Sequence, residues 1–279
     1  MPHRDLLVTP EHCIFVEGWL VPARMLVNQR SIIEDRTIGG YSFYHVELAQ
    51  HAVLLAEGLA TESYLDTGNR SSFANTSVIA LHPALTIDAG HKSWKTDACA
   101  PLAVDRETVE PNWQALEQRA LALGLGTGQP PITLSDDPEL RLVLADGHVL
   151  EARWTSGGCH MFCLPVGAKP ARLLSRTAVP AEVVGPFLDD RRRLGVAVEK
   201  VVLWSGLVDT VLKPTDLDLP GWHPAEGHFR WTDGDAGLDL PAAYAADTFL
   251  GIHIASTMQY ARHDTSTPSA AAPLRSAAC

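Results

Sequence analysis

Thr9 and His12, in the stretch Leu7-Val8-Thr9-Pro10-Glu11-His12, have the residue types and spacing best suited to chemistry. A Thr followed three residues later by a His, on a turn between two strands, aims both side chains at one backbone amide. Such a pair polarises a peptide carbonyl and protonates the departing nitrogen, which is what an N-to-S or N-to-O acyl shift requires. The same spacing also suits a plainer role, with Thr9 capping a turn and His12 half-buried beside it. Cys13 follows directly, but it lies on the apolar side of a strand pattern, where a thiol is inert.

A second group, Trp222, His223, Glu226, His228, Arg230, Trp231 and Asp233, falls on one loop-strand-loop. Aromatic faces with carboxylate and Arg partners are what a sugar-binding surface needs, through stacking and paired hydrogen bonds. The structural alternative buries Trp222 and Trp231 and pairs Arg230 with an acid. His223, Glu226 and His228 suit a metal only if strand alternation does not separate them. The carboxylates of Asp233, Asp235 and Asp239 have calcium-like spacing without the rest of an EF-hand loop, and read as a turn. Cys159 and Cys163, in Cys-His-Met-Phe-Cys, resemble one half of a metal clip. With no second Cys/His pair at zinc-ligand spacing, they are read as packing residues or free thiols. The expectation is therefore no metal and no cofactor.

The elements that must position these residues are mostly strands. Residues 13–22 form a hairpin pattern about Glu17-Gly18, and residues 41–48 and 52–56 are two further strand candidates, the latter ending at Glu57-Gly58. Turn-forming residue types over 66–75 close a first compact unit, 1–75. An irregular segment follows within 76–131. It contains a helix over 111–124, with Pro111 at its first position and Trp113, Leu116, Ala120 and Leu121 at helical spacing, and then a linker to 131. From 132 to 262 short strands alternate with Gly, Pro and Asp turns. One short helix near 181–188 is the only interruption, a pattern that predicts a β-sandwich of jelly-roll type. Residues 263–279 are Ser, Thr, Ala and Pro, the composition of a disordered tail. The expected class is mainly β.

The 279 residues are 46% hydrophobic, enough for a sizeable core, and the formal charge of −11 reflects 33 acidic against 22 basic side chains. Such a chain gains nothing from counterion release on nucleic acid and is repelled by anionic lipid. The one basic run, Arg191-Arg192-Arg193, follows Asp189-Asp190 and reads as a self-neutralised turn. Five cysteines, an odd and sparse set, imply no disulfide framework. No run of 18 apolar residues spans a membrane, and no signal peptide precedes residue 5. The compartment stays open between cytoplasmic and exported without a cleaved signal. No P-loop, dinucleotide fingerprint, nucleophile elbow or zinc-protease motif occurs.

Over residues 6–65 the chain resembles the bacterial Hint (hedgehog/intein) family. The resemblance lies in a variant where Thr-Pro-x-His is followed by an apolar hairpin and then Ala-Arg-x-Leu-Val-Asn, here Ala23-Arg24-Met25-Leu26-Val27-Asn28. Phe43-Tyr44-His45-Val46-Glu47-Leu48, with His51 and the apolar strand up to Glu57-Gly58, resembles the closing hairpin of Hint domains. The resemblance implies the back half of a self-processing β fold. In it, Thr9 and His12 match the pair that activates the scissile amide, and His51 matches the His opening the penultimate strand. Inteins end on His-Asn, whereas Glu62 and Ser63 stand here, so intein-style release is not expected. His45 stands where many inteins carry an Asp. The family's nucleophile, a Cys or Ser opening the domain, would lie before Met1. The expectation is an autoproteolytic ancestry without activity in this chain, with the chain's own upstream polypeptide as partner in a longer form. Residues 132–262 resemble the β-rich region that follows this Hint variant, through 189–196, 221–226 and 230–236. The last two stretches are also similar to a β-sandwich segment of carbohydrate-related bacterial proteins. A glycan-binding module, using Trp222, His223, Glu226, Arg230, Trp231 and Asp233 with the Hint remnant as scaffold, is the rival expectation.

Overall fold

The computed structural model describes residues 2–70, 91–127, 132–205, 208–240 and 248–262. It is mainly β, with several antiparallel sheets and two helices. The chain divides into two compact units, the first comprising Met1–Pro130 with Val184–Arg191, the second Pro131–Val183 with Arg192–Cys279.

The first unit is built on two hairpins. β1 (Cys13–Val16) and β2 (Trp19–Pro22) turn at Glu17-Gly18, and β3 (Val53–Ala56) and β4 (Leu59–Glu62) turn at Glu57-Gly58. In both turns the two central residues have positive φ (46° and 89°, then 50° and 82°), the primed geometry whose twist matches that of the strands. Pairing of Ile14 with Thr61 joins the hairpins into one sheet, ordered β2-β1-β4-β3. The strand expected over residues 41–48 does not form. That segment forms no ladder, and its Val46 carbonyl accepts the amide of Tyr64, two residues past β4 (2.8 Å).

α1 (Arg106–Ala122) packs on this sheet and begins five residues before Pro111. The Asp105 carboxylate caps it by accepting the Thr108 amide at 2.8 Å, a stronger start signal than the proline. Pro111 is accommodated inside the helix at the cost of one carbonyl partner. The core of this unit gathers Ile14, Val21, Met25, Leu26, Val109 and Phe187. Phe187 comes from the returning segment and stacks edge-on against Trp113 (5.4 Å).

The second unit contains β5 (Leu134–Ser135), β6 (Arg141–Leu144), β7 (Val149–Glu151), β8 (Trp154–Ser156), β9 (Cys159–Leu164) and β10 (Pro170–Leu174). The four-residue α2 (Pro180–Val183) follows, then β11 (Val196–Ser205), β12 (Val208–Leu212), β13 (Trp222–Glu226) and β14 (Phe229–Thr232). β15 (Asp235–Gly237), β16 (Thr248–Thr257) and β17 (Tyr260–Ala261) complete it. One sheet runs β15-β10-β6-β7 and the other β13-β14-β11-β16-β9-β8, with β12 beside β11. Alternate residues of both sheets meet in one core, among them Leu142, Leu173, Phe162, Val198, Leu203 and Ile252. Two sheets closing on a shared apolar layer make a sandwich. Tyr260 is fully buried in this unit, its hydroxyl donating to the Gly195 carbonyl at 2.8 Å. Residues 263–279 and the end of the linker, 128–131, lie outside the described residues.

Candidate functional site

Residues Thr9, Pro10, Glu11 and His12 form a turn closed by the His12 amide on the Thr9 carbonyl (3.1 Å), with Pro10 at the position where its fixed φ helps most. Two further bonds pin the turn. The Arg24 amide donates to the Pro10 carbonyl and the Ala23 amide to the His12 carbonyl, each at 2.9 Å. The Arg24 guanidinium then grips Glu11 (2.7 Å) and Asp189 (2.6 Å). Asn28 ends the same stretch by accepting the amides of Arg30, Ser31 and Ile32 on its buried side-chain oxygen. The Ala-Arg positions of the motif are thus the clamps that hold the turn at the head of β1, while Asn28 closes the loop that follows.

Glu62, at the end of β4, occupies the centre of the site. One carboxylate oxygen accepts the Cys13 amide at 2.7 Å, and the other lies 3.6 Å from His51 Nε2. The His51 ring is fully buried, and its Nδ1 accepts the Cys99 amide at 3.0 Å. Because Nδ1 accepts, a ring hydrogen sits on Nε2 and faces Glu62 from beyond hydrogen-bond reach. On the other side His12 and His45 approach to 6.5 Å between ring centres, and His45 rests on Tyr64 at 5.1 Å. The Tyr64 hydroxyl donates to Asn69 (2.7 Å), with Asp66 at 3.3 Å, and Arg70 lies over the ring.

The charges follow from this packing. Burial opposes ionisation of Glu62, but the nearby His51 ring and the bond from the Cys13 amide prevail and hold it below the usual carboxylate range. Burial lowers His12, and the Glu62 charge acts against that lowering. His45 is lowered by burial and by His12, again opposed by Glu62. Burial, reinforced by Glu62, pushes the Cys13 thiol upward, so it stays a thiol. Burial and Asp66 push Tyr64 up to about 12.

The structure brings His12 and His51 together around Glu62, with part-exposed Thr9 at the start of the turn. Sequence reasoning had read Glu62 only as the loss of an intein group. The register that sets it beside Cys13 depends on pairing β1 with β4, 49 residues away, and no local pattern reveals that.

The aromatic-polar group of the second unit is distributed differently. Trp222 pairs with Thr232 and lies beneath Arg230, so these share a face, whereas Trp231 points to the opposite face into a cluster with Leu194 and Ala197. Arg230 is spent on four backbone carbonyls, those of His223 (2.6 Å), Leu217 (2.6 Å), Pro214 (3.1 Å) and Trp222 (3.2 Å). Glu226 pairs with Arg192 at 2.7 Å, and His223 Nε2 meets the Arg193 carbonyl at 2.9 Å. His223 and Asp233 do meet, in an open cleft with Ser175, Thr177, Arg193 and Asp235. The six residues therefore form no single stacking surface. Asp233 accepts the Asp235 amide (3.0 Å), Asp235 pairs with Arg172 (2.6 Å) and Asp239 with Lys169 (3.6 Å), so turn and ion pairs use these carboxylates. Among the described residues no three His, Cys, Asp or Glu side chains could hold a metal ion, and no helix is long and apolar enough to cross a membrane.

A Thr-x-x-His turn at the head of β1 and a buried His-Glu pair beside it lie at one end of the two-hairpin sheet. Residues 1–68 match the Hint domain family, so this unit carries a Hint-type segment. No curated protein and no solved structure matches the chain significantly.

Proposed function

We propose that the first unit supplies the amide-activating half of an autoprocessing centre. In this reading Thr9 and His12 hold a scissile amide and His12 protonates its nitrogen as the C–N bond breaks. The attack that converts the carbonyl to an ester requires a Cys or Ser beside that amide, a role that buried Cys13 does not fill. His51 orients Glu62, and Glu62 keeps His12 able to carry the proton. The observation that carries this reading is the convergence of His12, Glu62 and His51 beside the Thr9 turn, from separate pieces of chain.

Processing by this chain alone is not expected. Cys13, the thiol adjoining His12, is 1% exposed and its amide is bound by Glu62. With an inert upstream segment fused to residue 1, thiol or hydroxylamine should release nothing. Cleavage there that His12→Ala abolishes would show that Cys13 or another residue of this sequence serves as the nucleophile. Fusion instead to a strand-rich segment opening with Cys should give hydroxylamine-sensitive cleavage that Thr9→Ala and His12→Ala both suppress. Cleavage indifferent to both would sink the role of the pair.

A further inference from the structure

On the outer face of the larger sheet of the second unit, three soft donors meet. Cys159 and Met161 lie two residues apart on β9 and so share a face, and His253 on β16 is the direct cross-strand partner of Cys159. Cys159 Sγ is 3.5 Å from Met161 Sδ and 3.6 Å from His253 Nε2. Opposite Met161 stands Gly251, where a Cβ would collide with the Trp204 ring and come within 3.1 Å of the Met161 sulfur. That glycine makes the room into which the thioether and the indole fold. All three donors are part-exposed, so an ion can reach them.

We propose that Cys159, Met161 and His253 form a three-coordinate site for a soft monovalent metal ion, Cu(I). With sulfur and nitrogen bonds of about 2.3 and 2.0 Å, angles between tetrahedral and trigonal set sulfur–sulfur separations of roughly 3.8–4.0 Å and sulfur–nitrogen separations of roughly 3.5–3.7 Å. The Cys159–His253 separation of 3.6 Å falls inside its range, and the two sulfurs, at 3.5 Å, part by about 0.3 Å to take up the ion. The thioether decides the metal, because Met selects Cu(I), whereas zinc sites use thiolate, imidazole and carboxylate. Charge agrees. The site offers one anionic ligand and no carboxylate, and Lys200, paired with His253 from the neighbouring strand, opposes a divalent ion more than a monovalent one. The thiol's single hydrogen faces two acceptors, and binding releases it to solvent as the Cu–S bond forms.

The site was half visible in Cys-His-Met-Phe-Cys, but its partner is not Cys163. That residue pairs with Phe249, two positions beyond Met161. The test is anaerobic titration of the reduced full-length chain with Cu(I) against bicinchoninate, with X-ray absorption on the loaded protein. One ion per chain with two sulfurs and one imidazole nitrogen is expected. Met161→Leu, His253→Gln and Cys159→Ser should each weaken binding by more than the roughly 10–100-fold that loss of an outer partner costs. Cys163→Ser should leave it unchanged. Binding that survives both Met161→Leu and His253→Gln, or absorption without a nitrogen scatterer, overturns the site and marks adventitious thiol capture. The substitutions lie on the outer face, so the melting temperature reports whether each variant stays folded, and absorption on the unaltered chain decides the question if one does not.

Discussion

Glu62 carries the charge around which the histidines of the first unit are arranged, and this makes the unit acid-sensitive in a defined way. His12 and His45 are both held below the ordinary histidine range, so between their folded values and about 6.5 the unfolded chain binds more protons. The stability they contribute is present above that range and drains as pH falls through it. Glu62 is also lowered, so its contribution persists above the ordinary carboxylate range and is lost on further acidification through its folded value. Urea unfolding from pH 8 to 3 should therefore show two successive losses, and Glu62→Gln should reduce the second, to which Asp66 also contributes. In the same variant the NMR titration midpoints of His12 and His45 should move down, because Glu62 raises both. Unmoved midpoints would remove Glu62 from the site.

Turns and strand registers set the positions of these residues, and they allow two predictions of opposite sign. Glu17 sits at φ 46° in the first hairpin, a conformation that Asn tolerates far better ahead of a Gly. Glu17→Asn should stabilise the first unit by about 0.5–1 kcal/mol in urea titrations. Arg230 on β14 ties four carbonyls from β13 and the preceding loop, and Arg230→Ala leaves them without their donor. A loss of about 2–3 kcal/mol is expected, seen as a lower urea midpoint of the second unit. If Arg230 were instead held free for a ligand, removing it would cost little stability.

The whole chain crosses between its units and returns. Residues 184–191 belong to the first unit although their neighbours on both sides belong to the second. Phe187, 4% exposed, packs against Trp113 and beneath Arg106, so Phe187→Ala should cost about 3–5 kcal/mol in the first unit. Phe162→Ala should cost about as much in the second, where Phe162 is fully buried. Calorimetry should show two transitions, each variant lowering one of them; a single transition lowered by both would mean the units unfold together.

The sequence by itself determined the mainly β class, both Glu-Gly hairpins and the Thr9-His12 turn, because period-two apolar runs and turn residues are local signals; the hold of Ala23 and Arg24 on that turn is seen only in the fold. It misplaced the start of α1, since Pro111 looks like a first position until the Asp105 cap is seen. It also read a strand over 41–48, where apolar alternation found no partner to pair with. Only the tertiary structure decided that Glu62 sits among three histidines, that Trp222 and Trp231 face opposite ways, and that His253 completes Cys159 and Met161. Each of these depends on pairing strands far apart in the chain. Register between distant strands is fixed by how whole sheets bury their apolar faces, and no short window of residues carries that information.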